Sequence, residues 1–407
     1  MGNLSRFNIF ILLSALYFAQ GLPFGFFTQA MPVLMREQGM DLRLIGLLSL
    51  LALPWALKFL WAPFLDRYSF KTGFHRRGWI LLANLAAVTG LLILSMLPIA
   101  QWLQMSVLAL FGLLLLMNFF AASQDISTDA LAVEVVKPEW RGIANGIQVA
   151  GYRVGMVVGG GLILGWLPVL GWQVALWCMA AILLFSSLPV LLMVREQPVV
   201  AVSYRESIGG FFKRPAIIQW LLILIVYKTA DAFGTSMLRP MLVDSGMTQA
   251  EMAWLLGTWG VFAGLSGALL GGFLMLRLSR FNALWSFALL QALCIGAYAL
   301  VTQSPDSPLL WVICLAEHFS GGMATAALFT LMMDNCRPHQ AGFDFSFQAS
   351  VVIIANLLAG AVSGFSALLL GYSGHFVVTL VLGLAVVACV YGLRQRIEEG
   401  VQHGISA

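Results

Sequence analysis

The side chains that could do chemistry in this chain stand inside stretches that are otherwise almost wholly apolar: Gln124, Asp125 and Asp129, then Arg153, then Lys228 and Asp231, then Glu317 and His318. Asp125 and Asp129 are four residues apart, so on a helix they share a face. A carboxylate at bilayer depth costs about 3 kcal/mol or more, so such groups turn toward a bundle interior or a wet cavity with a partner beside them. Arg153, one apolar segment later, is the expected partner. Lys228 and Asp231 are three apart and read either as a structural ion pair or as base and acid for an ionic substrate. Glu317 and His318 set another acid beside a group whose charge changes near neutral pH. Groups of this kind suit two tasks, holding an ionic substrate and carrying a coupling proton.

Composition says what surrounds them. Of 407 residues, 60% are hydrophobic and only 10% are charged, too little polar surface for a soluble protein of this length. The chain therefore reads as an all-α, multi-pass membrane protein held in a lipid bilayer. Its net charge of +4 comes from basic residues scattered singly through short loops, which is no footprint for nucleic acid. Cys178, Cys294, Cys314, Cys336 and Cys389 are odd in number and show no CxxC or Cys/His ligand spacing, so neither a disulfide framework nor a metal site is expected. A membrane enzyme acting on lipids could use Asp125 and His318 in a wet cavity, but no nucleophile-base pair accompanies them. The chain carries no phosphate-binding P-loop and no cofactor motif, so the energy for any transport must come from a gradient, with protons the expected ion, or from consumption of the substrate downstream. His75 and His339 fall in loops and read as solvated.

With about 20 apolar residues as the length of one crossing, twelve helices are expected. Six lie near 8–30, 43–63, 78–98, 103–131, 142–166 and 172–194, and six near 216–238, 252–276, 282–302, 308–334, 345–370 and 373–394. The apolar run after Arg6 is longer than a signal-peptide core and reads as a retained first helix. The division is into a first half, 1–194, a polar linker, 195–215, a second half, 216–394, and a tail, 395–407. With both termini in the cytoplasm, sixteen of the 22 Lys and Arg residues fall on that side, Lys71 and Arg195 among them, three fall opposite and three lie within spans. That asymmetry fixes the orientation by the positive-inside rule.

A faint repeat joins the halves. Phe24-Gly25 through Gly39-Met40 echoes Phe233-Gly234 through Gly246-Met247, and Gln148 and Gln348, 200 residues apart, each open a glycine-studded helix. Gly151, Gly155 and Gly159 recur at four-residue spacing, which lets helix backbones approach closely, either as fixed packing or as a moving seam.

Several clusters together resemble a known family: Phe59-Leu60-Trp61-Ala62-Pro63 with Asp66-Arg67-Tyr68, Ser123-Gln124-Asp125-Ile126 with Asp129-Ala130, Gly151-Tyr152-Arg153-Val154-Gly155-Met156, Tyr227-Lys228 with Asp231-Ala232-Phe233, and Gly321-Gly322-Met323. They are similar to the AmpG-type muropeptide permeases of the major facilitator superfamily. The resemblance implies twelve transmembrane helices in two pseudo-symmetric six-helix halves, a monomer in the bacterial inner membrane, and secondary active transport of a small molecule by alternating access. The segment from Asp334 through Ser350, together with Gln20 through Gln29, resembles more the inner-membrane siderophore permeases of the pyochelin and rhizobactin type. Siderophore import is therefore the expected activity, with anhydromuropeptide import in cell-wall recycling as the alternative. Under either reading Gln29, Gln124, Arg153, Lys228, Glu317 and Gln348 are expected to contact substrate. Asp125, Asp129 and Asp231 are expected to carry the proton. Asp66, Arg67, Arg76 and Arg77, from an altered form of the superfamily's loop after helix two, and Gly151, Gly155 and Gly159 are expected to serve the conformational change.

Overall fold

The computed structural model describes residues 5–68, 75–193, 204–302, 307–337 and 339–405, and the regular structure among them is helical throughout. Among these residues, ten helical stretches are long and apolar enough to cross a bilayer. We name them α1 (Arg6–Glu37), α2 (Arg43–Leu60), α3 (Arg76–Ser95), α4 (Val107–Val135), a stretch from Pro138 to Met193, α7 (Ile217–Asp244), α8 (Gln249–Leu274), α9 (Arg280–Leu300), α10 (Pro308–Asp334) and a stretch from Ala341 to Arg394. The two unnamed stretches run 56 and 54 residues, about twice what one crossing needs. Each breaks at a single glycine, Gly171 (φ 73, ψ 164) and Gly371 (φ 67, ψ 171), a backbone region that a Cβ forbids. They divide into α5 (138–170) and α6 (172–193), and α11 (341–370) and α12 (372–394), so the expected twelve passes are present. Residues 195–203 of the expected linker, with Lys71 and the last two residues of the tail, lie outside the described residues. The rest of the linker contains a short helix, Tyr204–Phe212.

Local chemistry sets where the helices begin. Ser106 accepts a hydrogen bond from the Ala109 amide, Ser279 one from Asn282, and Thr248 and Glu251 close a reciprocal capping box. Prolines shape α2 instead. Pro54 lacks the amide hydrogen an interior helix position needs, α2 runs through 3-10 turns at Leu47–Ala52 and Lys58–Leu60, and Pro63 stands in the first turn of the short helix that follows, Ala62–Arg67. Wider turns of the π type occur in α1 at Phe26–Ala30, in α5 at Val158–Leu162 and in α8 at Ala253–Trp259.

Two compact units emerge. The first holds Met1–Val136, Gly151–Ser207 and Arg337–Phe347. Its core gathers Leu22, Phe26, Met31, Leu91, Leu114 and Met179. At its centre α4 is buried without a break from Ala121 to Val133, so every face of that stretch meets protein. The second unit holds Lys137–Ala150, Ile208–Cys336 and Gln348–Ala407, with a core around Leu242, Leu255, Tyr298, Leu310 and Phe376.

The repeat, faint in sequence, is plain in these contacts. In the second unit the start of α5 lies on the end of α8, where a methyl added to Gly142 would run into the Gly272 carbonyl. In the first unit the start of α11 lies on the helical turn after α2 (Ala62–Arg67), where a methyl added to Gly342 would run into the Asp66 carboxylate. Gly142 and Gly342 are 200 residues apart, Asp66 and Gly272 are 206. An arginine at the head of α3 and one at the head of α9 likewise meet an acid at the tail of the helix that comes next. Arg76 Nε lies 3.1 Å from Glu134 Oε1, and Arg280 Nε lies 2.8 Å from Asp334 Oδ2.

Candidate functional site

The acid pair on α4 finds its counter-ion in a place the sequence did not point to. Lys58, in the 3-10 turn of α2 and only 3% exposed at its side chain, sets its ammonium against Asp125 and 3.8 Å from Asp129 Oδ2. Tyr17 of α1 donates its hydroxyl to Asp129 Oδ1 at 3.0 Å. The four-residue spacing does put both carboxylates on one face, and the cation set against both of them is Lys58, where the sequence had pointed to Arg153. Arg153 stands half-buried on α5. Two carboxylates thus share one ammonium inside a low-dielectric core. Gln124, a neighbour of Asp125, is buried with its amide nitrogen unpaired among the described residues, as is Gln20 of α1. Phe24, Trp55 and Tyr152 form an aromatic cluster with ring centroids 5.6 to 6.5 Å apart, and Trp55 Nε1 donates to Asn118 Oδ1. Sequence reasoning missed Tyr17, Lys58 and this cluster as a group, because their elements are far apart in the chain.

In the second unit Lys228 and Asp231 pair directly, as their spacing allowed, and Lys228 Nζ lies 3.5 Å from the Thr325 hydroxyl of α10. Glu317 and His318 pair with each other: the ring Nδ1 is 2.8 Å from Glu317 Oε2 and 3.0 Å from the Cys314 carbonyl. A carbonyl oxygen can only accept, so Nδ1 carries a proton there. Gln291 of α9 is buried, and its unpaired Nε2 borders a small cavity that Asp231 and Tyr227 also line. Gln348 answers a different need. It is fully buried, accepts from Trp220 Nε1 at 2.6 Å and donates to the Met332 carbonyl at 3.2 Å, so both ends of its amide tie helices together. Gln29, by contrast, is exposed, and its side chain covers Gly160 in the π turn of α5.

The loop arginines do separate jobs. Asp66 is 5% exposed; its Oδ1 is 2.5 Å from an Arg76 nitrogen, and its two oxygens accept from the Gly342 and Phe343 amides at 3.2 and 2.7 Å. An anion at the first free amides of a helix also meets the positive end of its dipole. Arg77 donates to the Leu191 carbonyl, and Arg67 lies over the Tyr68 ring. His75, expected in solvent, is 1% exposed. Burial first, and the Arg76 charge second, hold its pKa down to about 3, so it is neutral near pH 7.

The helix-five glycines face α1. A methyl on Gly155 would overlap the Phe18 carbonyl and one on Gly159 the Leu22 carbonyl, while Gly21 and Gly25 of α1 approach the carbonyls of Tyr152 and Met156 in return. Gly151 fits more loosely: a methyl added there would stand 3.3 Å from the Ser14 carbonyl. The seam is glycine from both sides, which is close packing in the first place.

Residues 13–359 match the Major Facilitator Superfamily. The chain belongs to that superfamily. Within it, the chain is 32% identical to the anhydromuropeptide permease of Escherichia coli (strain K12), over 95% of this chain and 80% of that one. It is 29% identical to an uncharacterized protein of Haemophilus influenzae, over 92% of each. These relatives put it on the AmpG-like branch, a multi-pass secondary transporter and not an enzyme. The fold agrees: the crystal structure of the human organic anion transporter MFSD10 superposes with a TM-score of 0.73 at 14% identity, covering 95% of this chain and all of that one.

Proposed function

We propose that this superfamily member imports an anhydromuropeptide, an amino sugar bearing a short acidic peptide, across the bacterial inner membrane in symport with protons. The observation that carries the reading is the 32% identity to an anhydromuropeptide permease over 95% of the chain. That identity favours anhydromuropeptide import over the siderophore import expected from the sequence. The buried chemistry is consistent with the proposal: a sugar-peptide offers hydroxyls, carbonyls and carboxylates, and Gln124, Arg153 and Lys228 offer donors and positive charge. The Phe24, Trp55 and Tyr152 rings offer apolar surface for a sugar face. In this scheme the halves 1–194 and 216–394 are the moving bodies, joined by 195–215, and both termini are cytoplasmic.

Asp125 and Asp129 are the proposed proton carriers, with Lys58 in the role of internal competitor. When the proton arrives, the ammonium keeps one carboxylate; when it leaves, Lys58 is shared between two. Asp231 already has the Lys228 ammonium and Glu317 the His318 ring on its own helix, and both are assigned the lesser part.

Proteoliposomes with an imposed inward proton gradient test the reading. Labelled anhydromuropeptide accumulates inside, ferric siderophore does not, and Asp125→Asn ends accumulation while leaving exchange of substrate across the membrane intact. Accumulation of the siderophore alone overturns the substrate, and full gradient-driven uptake by both the Asp125→Asn and Asp129→Asn proteins overturns the coupling.

A further inference from the structure

We propose that a cavity of about 170 Å³ between α3, α4 and the helical turn after α2 takes in a stretch of one acyl chain of a membrane phospholipid, and that this chain braces the segments carrying Lys58 and Asp125. Trp61, Phe64, Trp79, Ala83, Phe119 and Phe120 are prominent in its wall. Every side-chain polar atom there is already engaged. Trp61 Nε1 donates to the Ser123 hydroxyl at 3.0 Å, that hydroxyl donates to the Phe119 carbonyl at 2.8 Å, and Trp79 Nε1 donates to the Tyr68 carbonyl at 2.8 Å. A sugar, a peptide or a water would find nothing to bond, whereas an apolar cavity of this size takes a slim hydrocarbon group. The cavity meets the bilayer rather than water. Phe64 is 47% exposed and Phe119 and Leu82 are each 39% exposed, on segments long and apolar enough to cross the membrane or directly continuing one.

The rim supplies what a phospholipid needs beyond its chain. The Tyr68 ring stacks on Phe64 with centroids 4.4 Å apart, and the Arg67 guanidinium lies 5.6 Å above the Tyr68 ring. A positive group therefore sits one aromatic ring away from the cavity wall, at the end of the helices where Arg76 and Arg77 also gather, the place for a phosphate when the chain lies inside. An apolar pocket with a guanidinium at its mouth favours an anionic phospholipid over a neutral detergent.

The consequence reaches the buried ion cluster by a short path. Trp61 follows Lys58 by one turn and Ser123 precedes Asp125 by two residues, so the cavity wall and the ion pair share their two backbone segments. A void there leaves the Trp61 and Phe119 rings, 4.9 Å apart, without partners on one side. A resident chain fills that space. Binding is measured without transport, so a failed transport reading leaves this proposal standing, and the reverse also holds.

Native mass spectrometry of the full-length protein, purified from membranes containing phosphatidylglycerol and phosphatidylethanolamine, tests it. Wild type retains one phospholipid through washing that strips loosely bound lipid. Ala83→Phe, which puts a ring into the cavity, loses that lipid ~10-fold faster, the effect of giving up two buried methylenes. Arg67→Gln loses the preference for phosphatidylglycerol. Should Ala83→Phe fail to fold, the wild-type chain, washed into detergent, reports by fluorescence: the retained phospholipid, brominated along its chain, quenches the emission that Trp61→Phe and Trp79→Phe remove more strongly than the emission of Trp254, which does not line the cavity. Equal retention by wild type and Ala83→Phe, retention of detergent in place of phospholipid, or quenching of Trp61 and Trp79 no stronger than that of Trp254 overturns the proposal.

Discussion

Lys58 shows how much a single buried charge decides. Its side chain is 3% exposed and faces two carboxylates, so removing it takes the ammonium from both acids, and breaking a buried pair from one side costs roughly 3–5 kcal/mol. Lys58→Ala should therefore fall in membrane abundance and melting temperature, where Lys58→Arg keeps most of both; thermal unfolding in detergent measures the difference, and an unchanged melting temperature for Lys58→Ala removes the cluster from the stability of the fold. His75 makes a separate prediction about acid. Its folded pKa is about 3 against 6.5 for a free side chain. Above pH 6.5 both folded and unfolded chains hold a neutral ring and nothing changes. Between 6.5 and 3 the unfolded chain takes a proton that the folded chain refuses, so stability falls with pH by about 1.4 kcal/mol per unit. His75→Asn should flatten that part of the profile, and parallel wild-type and variant curves between pH 6.5 and 4.5 would count against a buried neutral ring.

At the scale of elements, the two halves use equivalent positions with different chemistry. Glu134 of α4 meets Arg76, which also has Asp66, whereas Asp334 of α10 serves Arg141 at 2.8 Å and Arg280 at 2.8 Å together. Asp334→Asn thus leaves two guanidiniums with a weaker acceptor and Glu134→Gln leaves one that still has a carboxylate. At about 1.5–3 kcal/mol for each hydrogen bond to a charged group, Asp334→Asn should be the more destabilising of the two, and equal melting temperatures would refute the difference. The helix reversals at Gly171 and Gly371 carry the next expectation. Both lie where only glycine is at ease, so Gly371→Ala should cost roughly 1–3 kcal/mol. Alanine at Gly364, also in α11 but with open space around it, should cost little. Comparing the two melting temperatures checks that the loss comes from backbone strain and not from the added methyl.

For the whole molecule, the prediction is one of topology. Twelve passes with both termini in the cytoplasm put the turn at Ser373 and the loop after Arg36 on the far side. Reporter enzymes active only in the cytoplasm should be silent when fused at either position and active when fused after Arg141. A cytoplasmic signal at Ser373 would mean that the stretch from Ala341 to Arg394 does not reverse at Gly371.

The sequence by itself determined the class, the number of passes and most of the polar inventory, because hydrocarbon admits only long apolar helices and makes every buried charge conspicuous. It also carried the i, i+3 pairing of Lys228 with Asp231, since both partners lie on one helix and local geometry suffices. The Gly142–Gly272 and Gly342–Asp66 equivalence was legible only as a faint echo around Gln148 and Gln348, because apolar repeats diverge freely while backbone geometry is kept. Tertiary structure alone decided which cation meets Asp125. Lys58 stands in a 3-10 turn of α2 with its side chain against Asp125, and a partner 67 residues away leaves no periodic mark in the chain. The same holds for Gln348, which looked like a substrate contact on its glycine-rich helix and is a buried tie to Trp220. An amide's role is set by the donors and acceptors that folding brings to it, and those come from elsewhere in the sequence.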